Sequence, residues 1–310
     1  MSWFKKNKNQ LSDLLPKVRG KYLPDEPMSK HTWFGVGGPA EVMFEPADND
    51  DLIYFLQNVA YNIPVFVVGG GSNLLVRDGG IPGVVIKLNS KFYKNWRVAD
   101  GVLVCGAGMK NAELKKIMLD NELGGLEFLV SIPGGLGGAV RTNAGCFGKE
   151  LKDVLVEATV VDKDGKELTV LADDFNLSYR KSFFPEDWII TSLTLKTEKQ
   201  KPEDTLEIIN KHKEYRKKSQ PHNVKTAGST FKNPEGLKAW ELIKKTESNN
   251  FRVNGAEVSD IHCNFLVNTG NASAKDIEDL GNMIVENVKR KTSIELEWEV
   301  KKVGVNKQND

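Results

Sequence analysis

Pro64-Val65-Phe66-Val67-Val68-Gly69-Gly70-Gly71-Ser72-Asn73-Leu74-Leu75-Val76 is the stretch on which the fold reading turns. Residues 64–68 have the length and apolar character of a short buried strand, and residues 74–76 resume one. Between them stand three consecutive glycines. Glycine loses more backbone freedom on folding than any other residue, so a run of three exceeds what a turn requires. Successive N–H groups in such a loop form a concavity suited to an anion such as a pyrophosphate, with Ser72 and Asn73 as further donors. A tight structural turn is the other reading. No Gly-Lys-Ser/Thr follows, so this is not the phosphate loop of the common nucleotide triphosphatases.

The pattern extends outward from this loop. Residues 42–44 read as a strand closed by Pro46. Residues 49–62 place Leu52, Ile53, Leu56, Val59 and Ala60 at helical spacing. With a further strand at 84–88, the first part is β-α-β with glycine turns. Downstream, 98–106 reads as one strand and 111–121 as a helix. Strands follow at 154–162 and 167–171, joined by Asp164-Gly165, and at 188–196. Pro202 and the basic run 211–218 mark a charged helical connector. Helices are expected at 237–244 and 274–291, and strands at 264–268 and 296–303. In the last of these, Glu297 and Glu299 share one face, opposite Leu296, Trp298 and Val300.

Composition narrows the function. The 310 residues carry 43 Lys+Arg against 42 Asp+Glu, a formal net charge of +1, which argues against a dedicated nucleic-acid binder. Hydrophobic residues at 40% supply a core, and 3 cysteines exclude a disulfide framework. No stretch reaches the ~20 apolar residues of a membrane helix, and no signal-peptide pattern opens the chain. The expectation is a cytoplasmic protein. Of 28 glycines, fifteen fall at 35–38, 69–83 and 134–148. Gly35-Val36-Gly37-Gly38 matches a loose dinucleotide fingerprint, but no buried strand precedes it and no helix opens after it. Residues 131–145 are dense enough in glycine for backbone to touch a flat ring or a phosphate; a glycine-rich strand crossing another backbone reads equally well. Arg180 is of the type that clamps a carboxylate or phosphate, although an exposed arginine is the default. The four histidines and three cysteines show no ligand spacing, so no metal site is expected.

In order along the chain stand Thr32-Trp33-Phe34-Gly35-Val36-Gly37-Gly38, Gly69-Gly70-Gly71-Ser72-Asn73, Ile132-Pro133-Gly134 with Gly137-Gly138-Ala139 and Asn143-Ala144-Gly145, and Tyr179-Arg180. Then come Gly228-Ser229-Thr230-Phe231, Val258-Ser259 with His262, and Leu296-Glu297-Trp298-Glu299-Val300. Each motif alone is weak, but the ordered set, spanning about 31–304, resembles the UDP-N-acetylenolpyruvoylglucosamine reductase family. The short spacing from Arg180 to Ser229 is similar to the members lacking a tyrosine-bearing lid insertion. Two glycines of the family pattern are replaced, around Asn250 and Asn254.

The resemblance implies an α+β fold. An FAD-binding module of two α+β subdomains, of the vanillyl-alcohol-oxidase type, would occupy 1–90 and 91–205. An α+β substrate-binding domain with a C-terminal catalytic strand would occupy 206–310. It implies that Gly69, Gly70, Gly71, Ser72 and Asn73 hold the FAD pyrophosphate. Ser131, Ile132, Pro133, Gly134, Gly137, Gly138, Asn143, Ala144 and Gly145 would also line the FAD. It implies NADPH as reductant and an enolpyruvyl nucleotide sugar as substrate. Arg180 and Glu299 would steady the enolate, and Ser229 would give the proton. A peptidoglycan-precursor role in the cytoplasm follows, with no nucleic acid, membrane insertion or obligate protein partner. The alternatives are an FAD oxidase of the same fold and a non-catalytic nucleotide-sugar-binding protein.

Overall fold

The computed structural model describes residues 11–178, 183 and 185–307. Its first sheet is built from β1 (Lys21–Pro27), β2 (Pro39–Glu45), β3 (Val65–Val67) and β5 (Ile81–Ile86), with β4 (Leu74–Val76) set apart. The order is β1-β2-β5-β3. β1 is antiparallel to β2, while β2, β5 and β3 run parallel. Parallel neighbours need a crossover, which α1 (Asn49–Asn58) provides. Asp48 caps it by accepting from Asp51 N–H, and Leu52, Phe55 and Leu56 bury its inner face. The helix ends at Asn58, four residues short of the expected 49–62. Val59 is already extended, and the chain must turn before Pro64, whose ring disfavours helical geometry at Ile63. The sequence reading missed β1, whose two prolines and charges fit an edge strand.

The second sheet is antiparallel, in the order β9-β8-β10-β7-β6. Its members are β6 (Trp96–Ala99), β7 (Val102–Gly106), β8 (Leu155–Val161), β9 (Glu167–Leu171) and β10 (Ile189–Lys196). The single strand expected at 98–106 is therefore a hairpin. Asp100 (φ 50°) and Gly101 (φ 77°) are both left-handed, as the tightest hairpin turn demands. One continuous core joins both sheets to α2 (Leu114–Asp120), α3 (Glu127–Val130), α4 (Leu136–Arg141) and α5 (Pro202–Ser219). Each fully buried Leu, Ile, Val or Phe in it contributes about 1.5–3 kcal/mol.

The last third packs α6 (Ala239–Lys245) and α7 (Ala274–Thr292) against a small antiparallel sheet of β11 (Arg252–Val253), β12 (Ala256–Val258) and β13 (Leu266–Asn268). The start of α7 is capped from two directions. Ser273 Oγ accepts from Asp276 N–H, and the Asp78 carboxylate accepts from Ala274 and Lys275 N–H at 2.9 Å each. Midway along α7, Gly281 lies under Trp298. A Cβ there would stand 2.2 Å from the indole ring.

Residues 296–303 depart from the expected continuous strand. Only β14 (Lys301–Val303) is regular, and it pairs in parallel with β4, beside the glycine loop. Residues 296–300 form an extended segment bridged to residues 230–232 through Phe231 and Trp298. Its side chains still alternate, with Leu296 and Val300 buried and Glu297 exposed. A third small core of Met28, Ala40, Met43, Val68, Val76, Ile81, Val85 and Val303 lies where β14 and β4 meet the first sheet.

Candidate active site

The two glycine-rich loops face each other. Gly69–Asn73 leaves the carboxyl end of β3, where parallel α/β sheets place their ligands. A Cβ on Gly70 would stand 2.7 Å from Gly134 Cα, and one on Gly71 would stand 1.8 Å from the His31 carbonyl oxygen. Gly71 also has φ 67°, so the loop tolerates only glycine at these points. Ser72 Oγ donates to the Pro133 carbonyl at 3.1 Å, and Asn73 Nδ2 donates to the Glu299 carbonyl at 3.2 Å. These hydrogen bonds brace the loop. Among the described residues, no N–H of Gly69–Asn73 donates to a protein acceptor. Gly69 and Gly70 are exposed, and a Cβ on Gly138 would meet nothing within 4 Å. Unspent N–H groups around an open slot between backbones fit a pyrophosphate-bearing cofactor.

The 131–145 segment crosses the other loop's backbone closely at Gly134, but as a loop leading into α4 rather than as a strand. Ser131, Ile132 and Pro133 are half-buried beside the cradle, and Gly137 packs against Ala107. Ala144 is buried, and Gly145 pairs with Glu150. Asn143 (φ 42°) has its side chain fully buried. Its amide donates to Glu150 Oε2 and the Ser178 carbonyl, and its oxygen accepts from Lys152 N–H. Asn143 thus ties the loop to Ser178. Tyr179 and Arg180, just beyond, lie outside the described residues.

The other two candidates come together. Gly228 (φ 81°) turns the chain so that residues 229–231 run between two partners. On one side Ser229 bridges Phe265, Thr230 N–H donates to the Asn264 carbonyl at 2.7 Å, and the Asn264 side chain brackets Phe231. On the other, Glu299 N–H donates to the Thr230 carbonyl at 2.8 Å. Ser229 and Glu299, 70 residues apart in sequence by their numbers, thereby line one cavity of about 260 Å³ with Phe231, Asn233, Lys238, Trp240, His262 and Asn264. His262 Nδ1 accepts from Asn264 N–H at 3.2 Å, so a neutral ring carries its proton on Nε2. Its ring packs edge-on against Phe265 and Trp240, and burial pushes its pKa below the ordinary value. Asn233, Lys238 and Trp240 were missed from sequence. Asn254, at an expected glycine position, keeps the left-handed backbone (φ 47°) and donates to Asp276.

Among the described residues no group of His, Cys, Asp and Glu could hold a metal ion, and no helix is long and apolar enough to cross a membrane.

Two family models match. Residues 40–171 match the FAD binding domain, and residues 220–303 match the UDP-N-acetylenolpyruvoylglucosamine reductase C-terminal domain. The chain is 43% identical over 295 residues to the UDP-N-acetylenolpyruvoylglucosamine reductase of Bradyrhizobium sp. (strain ORS 278), covering 95% of this chain and 96% of that protein. The chain belongs to the UDP-N-acetylenolpyruvoylglucosamine reductase family. A second family reductase, from Rickettsia rickettsii (strain Sheila Smith), is 42% identical, covering 94% of this chain and 98% of its own. The crystal structure of the Thermus caldophilus reductase superposes with a TM-score of 0.79 at 34% identity, covering 92% of this chain and 99% of that one. The reductase fold is thus α+β, with the flavin-binding match falling on the two sheets that carry the glycine loops.

Proposed function

We propose a reading of the site in which the cradle, the cavity and the segment joining them act as one reductase centre. The chain is an FAD-dependent oxidoreductase of peptidoglycan precursor synthesis. It reduces UDP-N-acetylglucosamine enolpyruvate to UDP-N-acetylmuramate at the expense of NADPH. The single observation that carries the site assignment is that Ser229 and Glu299 line one cavity while the Glu299 carbonyl is held by Asn73 of the glycine loop.

The bound flavin would supply the hydride chemistry that carries NADPH electrons to the β-carbon of the enolpyruvyl ether, and Gly69–Asn73 would hold the FAD pyrophosphate through backbone N–H groups. The face made by Ser131–Gly134, Gly137, Gly138 and Asn143–Gly145 shapes the slot beside it. Electron density moves from the double bond toward the substrate carboxylate, Arg180 steadies the charge that collects there, and Glu299 joins the hydrogen-bond network around it. Ser229 Oγ gives its proton to the α-carbon, completing addition of hydride and proton across the double bond. A hydroxyl is a weak acid, so its contribution rests on alignment. The bridge to Phe265 and the left-handed turn at Gly228 fix that alignment. Residues 1–90 and 91–205 form the two cofactor subdomains and 206–310 the substrate domain. The protein acts in the cytoplasm on its nucleotide-sugar substrate without an obligate protein partner.

The test is NADPH oxidation by purified yellow protein with and without the enolpyruvyl nucleotide sugar. Oxidation that depends on that substrate supports the reading. Oxidation driven by oxygen and indifferent to the substrate would replace it with an oxidase.

A further inference from the structure

Lys87 follows β5 directly and emerges at its carboxyl end. Val68 N–H donates to the Ile86 carbonyl at 2.9 Å, which sets Lys87 beside the start of the glycine loop. Its ammonium is half-buried and stands 2.6 Å from His31 Nδ1. His31 Nε2 in turn is 3.0 Å from Glu26 Oε1. In a neutral ring, Nε2–H donates to Glu26 and Nδ1 accepts from the ammonium, so the three side chains form a directed chain. The same His31 offers its backbone carbonyl to the underside of Gly71, and Trp33 N–H donates to the Gly71 carbonyl at 3.0 Å. The imidazole that orients Lys87 and the floor of the loop are therefore one piece of backbone.

Among the described residues no carboxylate lies within ion-pair distance of Lys87; Glu45 and Glu26 act on it only from farther off. Glu26 is engaged by His31 and Lys30, and Glu45 by Lys21 and Asn89. Burial pushes the Lys87 pKa down; Glu45 and Glu26, acting through space, pull it up, and Lys94 and Lys110 push it down. Lys110 belongs to the opposite wall, bridged to Gly135. A half-buried ammonium without a directly paired carboxylate is costly unless an anion completes it. His31, which holds the ammonium, also sets its backbone carbonyl against Gly71 of the glycine loop.

We propose that Lys87 is the cation that neutralises the cofactor pyrophosphate, held in place by the positioning residues His31 and Glu26. This rests on the reading of Gly69–Asn73 as the pyrophosphate cradle. Lys87 supplies the charge that a backbone-only cradle lacks, and the His31–Glu26 pair fixes its direction without cancelling it.

The experiment titrates flavin-stripped protein with FAD and follows flavin fluorescence, a binding readout independent of turnover. Lys87→Met weakens FAD binding by about tenfold or more, the loss expected for a charge-assisted contact. It also makes that affinity less sensitive to salt, since the screened charge is gone. Lys87→Arg stays within about threefold of the parent because charge and reach are kept. His31→Gln and Glu26→Gln weaken binding in the same direction, with circular dichroism unchanged. Gly70→Ala, run in parallel, tests the cradle itself. Parent-like FAD affinity in Lys87→Met alongside loss in Gly70→Ala would overturn the role of Lys87 and leave the cradle standing. Parent-like affinity in both would remove the cradle reading and this proposal together. Lys87→Gln replaces Lys87→Met, with the same two readings, if the methionine variant does not fold.

Discussion

The side-chain amide of Asn73 donates to the backbone carbonyl of Glu299 at 3.2 Å, across 226 residues of sequence. The next peptide returns the tie, since Lys301 N–H donates to the Asn73 carbonyl at 3.1 Å. The loop assigned to the cofactor and the carboxylate assigned to the substrate are thus set by one local hydrogen-bonded joint. Replacing Asn73 by Leu leaves the Glu299 carbonyl without that donor. The expected cost is about 1–3 kcal/mol of stability. Because Glu299 keeps its tie to Thr230 but loses the one to the glycine loop, kcat should fall by about tenfold or more. Steady-state kinetics with a thermal melt check both; a variant with parent kcat would show that the joint does not set the catalytic geometry.

Ser229 is expected to matter in one half of the reaction only. Ser229→Ala should leave NADPH-dependent bleaching of the flavin absorbance intact. Recovery of that absorbance on adding the enolpyruvyl substrate should slow by about 10²-fold or more, the usual worth of a positioned proton donor. Stopped-flow absorbance separates the two phases, and parent-like recovery removes Ser229 from the proton-donating role.

Gly281→Ala inverts a common rule. In an exposed helix this change stabilises by about 1 kcal/mol. Here the added methyl would stand 2.2 Å from Trp298, which packs edge-on to Phe231 at 5.3 Å and carries Lys302 over its face at 4.5 Å. The indole must move, and the overpacking should cost about 1–3 kcal/mol net of any helix gain. Trp298 immediately precedes Glu299, so activity should fall along with the melting temperature. A melting temperature raised by the substitution would contradict the packing described.

Stability should fall in mild acid. Burial holds the His262 and His212 pKa values below that of the unfolded chain. The unfolded state therefore binds more protons in this range, and stability rises with pH. The contribution is complete above the unfolded value near ~6.5. It is lost progressively as pH falls below that value toward the lower folded values. Melting temperatures from pH 7.5 down to 5 should show the decline, and His262→Phe should flatten it.

Asp78→Ala removes the acceptor for two N–H groups at the start of α7. The expected loss is about 1–2 kcal/mol, visible as a few degrees in melting temperature.

Local signals in the sequence located much of this architecture. Helical spacing found α1 and α7 because each buries one apolar stripe, and the glycine run marked a close backbone approach because only glycine fits against His31 and Gly134. The Asp100-Gly101 hairpin was a local signal passed over. What local pattern does not carry is pairing. Residues 296–300 alternate like a strand, yet their partners are residues 230–232, and β14 instead joins β4. Asn233, Lys238 and Trp240 look like ordinary loop and helix residues until residues 229–231, 262–264 and 297–299 are laid side by side. The ordered motifs named Ser229 and Glu299; only tertiary pairing puts them in one cavity.

The pairing of β14 with β4 has a consequence for how the protein is made. β4 follows the glycine loop directly and emerges early in synthesis, but its strand partner Lys301–Val303 emerges more than two hundred residues later. Until then the nascent chain holds a glycine loop whose following strand is unpaired and whose Asn73 has nothing to grip. Such long-range closure is slow and leaves a strand edge open to wrong partners. Competence to bind flavin should therefore appear as a late, nearly all-or-none event during synthesis, rather than when the residues of the loop itself have left the ribosome.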